Sequence, residues 1–288
     1  MEVSDLRVFE AVARHGNMSR AAQELNTVQS NVTARIRALE AELGVPLFQR
    51  HARGVSAAPA GQRMLPFAWQ IAKLLADAKS AALDDGAPKG SLRLGGMETT
   101  TALRLSPLLS HFAKTYPEVD LTITTGTTAR LVGEVLDGKL EAAFVSGPIS
   151  HPELLQESIF QEELVLVTAP SISAPKELAG LGELRIIVFQ AGCSYRQRLE
   201  AFLAGMGIVT ARPLEFGSLD AIIACTSAGV GVSLLPRGIV AGAAQAGRVA
   251  IHQLPPAQAL AETLLVRRHD AYVSSALTAF LETARAAA

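Results

Sequence analysis

Gln29, Ser30, Asn31, Thr33 and Arg37 lie close together near the start of the chain. Each side chain carries hydrogen-bonding groups of the kind that read base edges in a DNA groove. Ser19 and Thr27 add hydroxyls just upstream, and Arg35 adds a guanidinium. Further on, Gln49-Arg50-His51-Ala52-Arg53-Gly54 puts two arginines on a short loop, suited to clamping phosphate or entering the minor groove. A second group is rich in hydroxyls: Glu98-Thr99-Thr100-Thr101, Thr125-Gly126-Thr127-Thr128, Ser146-Gly147-Pro148, Gly192-Cys193-Ser194-Tyr195-Arg196 and Gly217-Ser218. Covalent chemistry has little to work with. Cys193 stands before a helix, where a thiol is more acidic, but none of the six histidines forms a motif with it, and GxSxG, Walker and HExxH patterns do not occur. Cys193 and Cys225 show neither metal-ligand spacing nor a disulfide framework. Binding rather than turnover is expected, with no metal and no cofactor.

The elements that hold the first group are three short helices. Leu6, Phe9 and Ala13, with Val8 and Val12, form a stripe that ends at Gly16-Asn17. Ser19 can cap a second helix that turns Ala21, Ala22 and Leu25 inward. In the third, Val28, Val32, Ile36, Leu39 and Leu43 fall within roughly 80° of one another at about 100° per residue. The opposite face carries Ser30, Thr33, Ala34, Arg37 and Ala41, flanked by Gln29 and Asn31. Such a face is either solvated or a reader of DNA. The loop of two arginines, anchored by Leu47-Phe48 after the stop at Gly44-Val45-Pro46, favours DNA. Charge agrees: residues 1–83 carry ten Lys/Arg against seven Asp/Glu, or +3, whereas the whole chain is −1.

LRVFEAVARHGNMSRAAQEL (residues 6–25), QSNVTARIRALEAELGVPLFQR (residues 29–50) and Ala60-Gly61 resemble the LysR-type transcriptional regulators. The resemblance implies double-stranded DNA as a partner, with Gln29, Ser30, Thr33 and Arg37 at the DNA and Arg50 and Arg53 in a wing. It also implies an assembly of two dimers and contact with RNA polymerase. Val28 replaces the serine usual in the family, which shifts capping to Thr27 or Asn26. Ala34 replaces a common arginine, and Arg35 is then expected to contact the DNA backbone.

Pro59 to Leu83 reads as one Ala-rich helix, with Met64, Ala68, Ile71, Leu75, Ala78 and Ala82 in heptad spacing and Pro66 as a kink. The family resemblance makes it a dimerising helix. The expected domains are a winged helix-turn-helix at 1–58, a linker and hinge at 59–90, and an effector domain at 91–288.

From residue 91 strands alternate with helices in two runs, which argues for parallel sheets in two α/β lobes, at 91–163 with 268–288 and at 164–267. Leu164–Thr168 and Leu264–Arg267 would cross between them. YPEVDL (residues 116–121) and AGVGVSLLP (residues 228–236) resemble the family's effector domain, itself similar to periplasmic solute-binding proteins. Ligands bind beyond the carboxyl ends of such strands. The expected contacts are Thr99, Thr100, Thr125, Thr127, Ser146, Gly147, Cys193, Ser194, Arg196 and Ser218. The expected effector is a small organic anion at the start of the helix after Cys193, paired with Arg196. A regulator that works without an effector is the alternative. The absence of any long apolar run and of a basic-then-apolar leader points to a cytoplasmic protein.

Overall fold

The computed structural model describes residues 1–51, 54–181, 183–190, 192, 194–209 and 213–287; of Arg50 it describes the backbone alone. The chain forms two compact units, Met1–Asp85 with Asp137–Lys139, and Gly86–Leu136 with Leu140–Ala288.

The first unit begins with α1 (Val3–His15), which buries Leu6, Val8, Phe9, Ala11 and Val12 and ends at left-handed Gly16. In α2 (Met18–Glu24) the cap is not Ser19 but Asn17, whose Oδ1 accepts from the backbone N–H of Ser19 at 2.8 Å and of Arg20 at 3.1 Å. Ser19 already lies inside the helix. The third helix, α3 (Gln29–Leu43), has Val28 at its N-cap and no capping side chain. Thr27 Oγ1 accepts from Asn31 Nδ2 at 2.9 Å instead, and Asn26 takes the left-handed turn. Of the expected stripe, Val32, Ile36 and Leu39 are buried, while Val28 and Leu43 are exposed because the helix ends overhang the core.

A hairpin follows, of β1 (Phe48–His51) and β2 (Gly54–Ala57) in antiparallel register. Glu40 fastens it: its Oε1 accepts from Leu47 N–H at 2.7 Å and Phe48 N–H at 3.1 Å. Gly61 lies against Leu47 O, where a Cβ would collide with the carbonyl. The helix α4 (Pro59–Leu83) continues through Pro66 as one element, although proline removes the donor for Gln62 O. The heptad seam is divided. Met64, Ala68 and Ile71 pack on the N-terminal core, whereas Leu75, Ala78 and Ala82 face outward with Phe67 and Leu74.

In the second unit β3 (Gly90–Gly96) leads into α5 (Glu98–Thr100), a π-helical turn at Thr101–Leu105 and α6 (Ser106–Thr115). Next come β4 (Val119–Thr125), α7 (Thr128–Leu136), β5 (Ala142–Ser146) and β6 (Leu154–Thr168). The chain continues through β7 (Ile187–Phe189), α8 (Ser194–Gly205), β8 (Leu214–Phe216), α9 (Leu219–Ser227), β9 (Ser233–Pro236), α10 (Arg237–Gln245) and β10 (Ala250–Gln253). It closes with α11 (Pro256–Ala259), β11 (Leu260–Arg268) and α12 (Ser275–Ala286).

The sheets are mixed rather than parallel throughout. Strand β3 pairs parallel with β4 and β5, and β7 with β8. Strands β6 and β11 run antiparallel to each other over Leu154–Glu163, and β11 also pairs antiparallel with β5. The far half of β6, Leu164–Val167, pairs with β9, and Val165–Thr168 pairs with β10. A strand of 15 residues thus runs through both lobes, where the sequence reading placed only its last five. It is polar and alternating at first and apolar at the end, as its two surroundings demand.

Candidate nucleic-acid interface and ligand cleft

The helix-turn-helix unit presents the start of α3 to solvent: Gln29, Ser30, Asn31, Ala34 and Arg37 are exposed, and Thr33 is half-buried. Two contacts within the unit orient this face. Ser19 Oγ donates to Gln29 Oε1 at 3.0 Å, and Thr27 holds Asn31. Arg35 is turned elsewhere, with Nε 3.1 Å from Asp5 Oδ1 and a 2.7 Å bond to Ser4 Oγ, so its guanidinium ties α3 to α1. Arg37 has no counter-ion among the described residues, and neither has exposed Arg20, a residue that no motif singles out. Glu24 does not oppose this positive face. Arg14 at 2.6 Å and then His15 hold its carboxylate down at about 2. The side chain of Arg50 and all of Arg53 lie outside the described residues, as does Cys193.

In the second unit the carboxyl ends of β3, β4, β5, β7 and β8 surround two adjoining cavities. One, of about 370 Å³, is lined by residues that include Glu98, Thr99, Thr125, Thr127, Arg130, Phe189, Ser194, Tyr195 and Phe216. The other, of about 700 Å³, is lined by Ser146, Gly147, Pro148, His151, Ser194, Gln197 and Arg198 among others. Thr128 and Ser194 belong to both. Thr128 Oγ1 accepts from Ser146 N–H at 3.2 Å and joins the strand ends. Two cleft hydroxyls, Ser146 Oγ and Ser194 Oγ, are buried with no hydrogen-bond partner among the described residues.

The structure therefore gathers Thr99, Thr125, Thr127, Ser146, Gly147 and Ser194 around one cleft. Three other expected contacts are elsewhere. Thr100 is buried but lines neither cavity, and Ser218 is exposed at the N-cap of α9. Arg196 is bound by Glu200 at 3.0 Å and Glu215 at 2.8 Å; the Glu200 hydrogen bond and both carboxylate charges raise its pKa above the usual arginine value. Helical period explains the error. From Ser194 the same face returns at i+3 and i+4, which are Gln197 and Arg198, whereas i+2 points away. Among the described residues no cluster of His, Cys, Asp and Glu could hold a metal, and no helix is long and apolar enough to cross a membrane.

A helix-turn-helix unit with a following hairpin, joined to a two-lobed domain with a cleft, is the architecture of a transcription regulator with an effector-binding domain. Residues 3–62 match the family described as "Bacterial regulatory helix-turn-helix protein, lysR family", and residues 85–288 match "LysR substrate binding domain". The chain belongs to the LysR family of transcriptional regulators. It is 42% identical over 281 residues to the HTH-type transcriptional regulator GltR of Bacillus subtilis (strain 168), covering 98% of this chain and 95% of that one. With the regulator CzcR of Bacillus thuringiensis (strain Al Hakam) it shares 40% over 283 residues, 98% of this chain and 93% of the other. The solved structure of full-length CbnR complexed with its target DNA superposes with a TM-score of 0.67 at 26% identity, over 100% of both chains. A full-length OxyR variant from Pseudomonas aeruginosa shares the fold at a TM-score of 0.72 and 20% identity, over 100% of this chain and 94% of that one.

Proposed function

We propose that this regulator reads double-stranded DNA with Gln29, Ser30, Asn31 and Thr33, and that Arg20 and Arg37 grip phosphate. Arg50 and Arg53 serve the wing. Ser19 and Thr27 hold Gln29 and Asn31 in position, and Arg35 fixes the helix that carries them. A small organic anion in the cleft controls this binding. Its carboxylate accepts from Ser146, Ser194 and, in place of Arg196, Arg198, and Thr99, Thr125 and Thr127 contact it from the first lobe. A ligand bound to both lobes biases their closure and so alters the DNA-binding unit. The outward stripe of α4 pairs two chains, two such dimers form the tetramer, and the assembly works with RNA polymerase in the cytoplasm.

The observation that carries the anion reading is the pair of buried hydroxyls without partners among the described residues, because native proteins rarely leave such groups unsatisfied. Calorimetry with a panel of organic acids on wild type, Ser146→Ala and Ser194→Ala tests it. An acid should bind wild type and lose about tenfold or more in each variant, the loss expected for hydrogen bonds to a charged group. A neutral effector indifferent to both substitutions would refute the anion and leave the regulator.

A further inference from the structure

Glu98 lines the smaller cavity half-buried, its side-chain carboxylate with no hydrogen bond or ion pair among the described residues. Its place in the first turn of a helix accounts for an acidic residue but supplies no counter-charge. Arg130, the other charged residue lining that cavity, donates to Glu134 at 2.9 Å and is 60% exposed, so its charge is both matched and screened. Among the described residues that line the smaller cavity, Glu98 is thus the one charge without a partner, beside Phe189, Tyr195 and Phe216. In the larger cavity the sign is reversed. Arg198 is half-buried and donates to a neutral carbonyl, Leu260 O, at 2.7 Å. His151 Nδ1 accepts from Glu153 N–H at 3.2 Å, which in the neutral ring leaves Nε2 as a donor.

We infer that the effector is an amino-carboxylate, whose protonated amine meets Glu98 and the aromatic rings while its carboxylate meets Ser146, Ser194 and Arg198. The inference rests on the anion reading above and adds the second charge. A carboxylate without a counter-charge attracts a cation that enters beside it, and so do ring faces. Thr128 and Ser194 border both cavities, so one elongated molecule can reach both ends. A plain carboxylate would leave Glu98 unanswered, and a plain amine would leave the two buried hydroxyls unanswered.

Titration calorimetry of the full-length protein with paired probes tests this: the common amino acids and 4-aminobutyrate, each against its deaminated counterpart, such as glutarate for glutamate and butyrate for 4-aminobutyrate. At least one amino-carboxylate should bind wild type ten times or more tightly than its partner. In Glu98→Gln, which keeps size and drops charge, that ratio should fall to near one. Glu98→Asp, which keeps the charge, should retain part of it. Ser146→Ala should weaken both members of the pair alike. Deaminated acids that bind as tightly as the amino acids, or a ratio equal in all Glu98 variants, would overturn the inference and leave the anion reading standing. Binding by neither class would overturn both.

Discussion

At the scale of single residues, Gln29 and Arg37 lie on the same exposed helix face but have different chemistry to offer. Gln29 is oriented by Ser19 through a 3.0 Å bond, and an oriented amide can discriminate bases. Gln29→Ala should relax base preference at one operator position, at a cost of about 1–3 kcal/mol. Arg37→Ala should weaken all DNA alike and flatten the salt dependence of binding by about one unit. Selection of preferred sites from random DNA, together with binding measured over a salt series, separates the two. An unchanged selected site for Gln29→Ala would displace α3 from the groove. Residue type and spacing made the face of α3 legible. Direction was less so: Arg35 looked free on the chain and is spent on Asp5 and Ser4, and Arg196 looked like a ligand clamp and is spent on Glu200 and Glu215. Both are charges whose partners come from another element, or from the next turn of the same helix.

Among the elements, the wing hairpin depends on one side chain. Glu40 satisfies the N–H groups of Leu47 and Phe48, both buried residues. Removing the acceptor leaves buried donors unpaired, so Glu40→Ala should destabilise the first unit by about 1–3 kcal/mol, and Glu40→Gln, which keeps an acceptor, by less. Trp69, the only tryptophan, lies in α4 and can report this unfolding by fluorescence in urea. Equal stability of Glu40→Ala and wild type would show that the hairpin is held some other way. Helices were read well from apolar period, α4 to the residue. Caps and strand partners were not. Asn17 outcompeted Ser19 because its side chain reaches two N–H groups at once, and the antiparallel course of β6 and β11 depends on pairing across about a hundred residues, which no local pattern encodes.

For the whole molecule, the outward stripe of Phe67, Leu74, Leu75, Ala78 and Ala82 is where the proposed assembly should break. Leu74→Glu puts a charge in the middle of it. Sedimentation at micromolar concentration should show a tetramer for wild type and smaller species for Leu74→Glu. A wild-type monomer would remove the stripe's proposed task.

The place of β11 between β5 and β6 also sets an order of events during synthesis. The core of the first unit is drawn entirely from residues 6–71, and so is complete early in translation. The sheet of the second unit lacks an interior strand until residue 268 has been added. At about 5–20 residues per second, the interval is on the order of ten to forty seconds. Every growing chain therefore passes through a period in which its DNA reader is folded and its sensor is not.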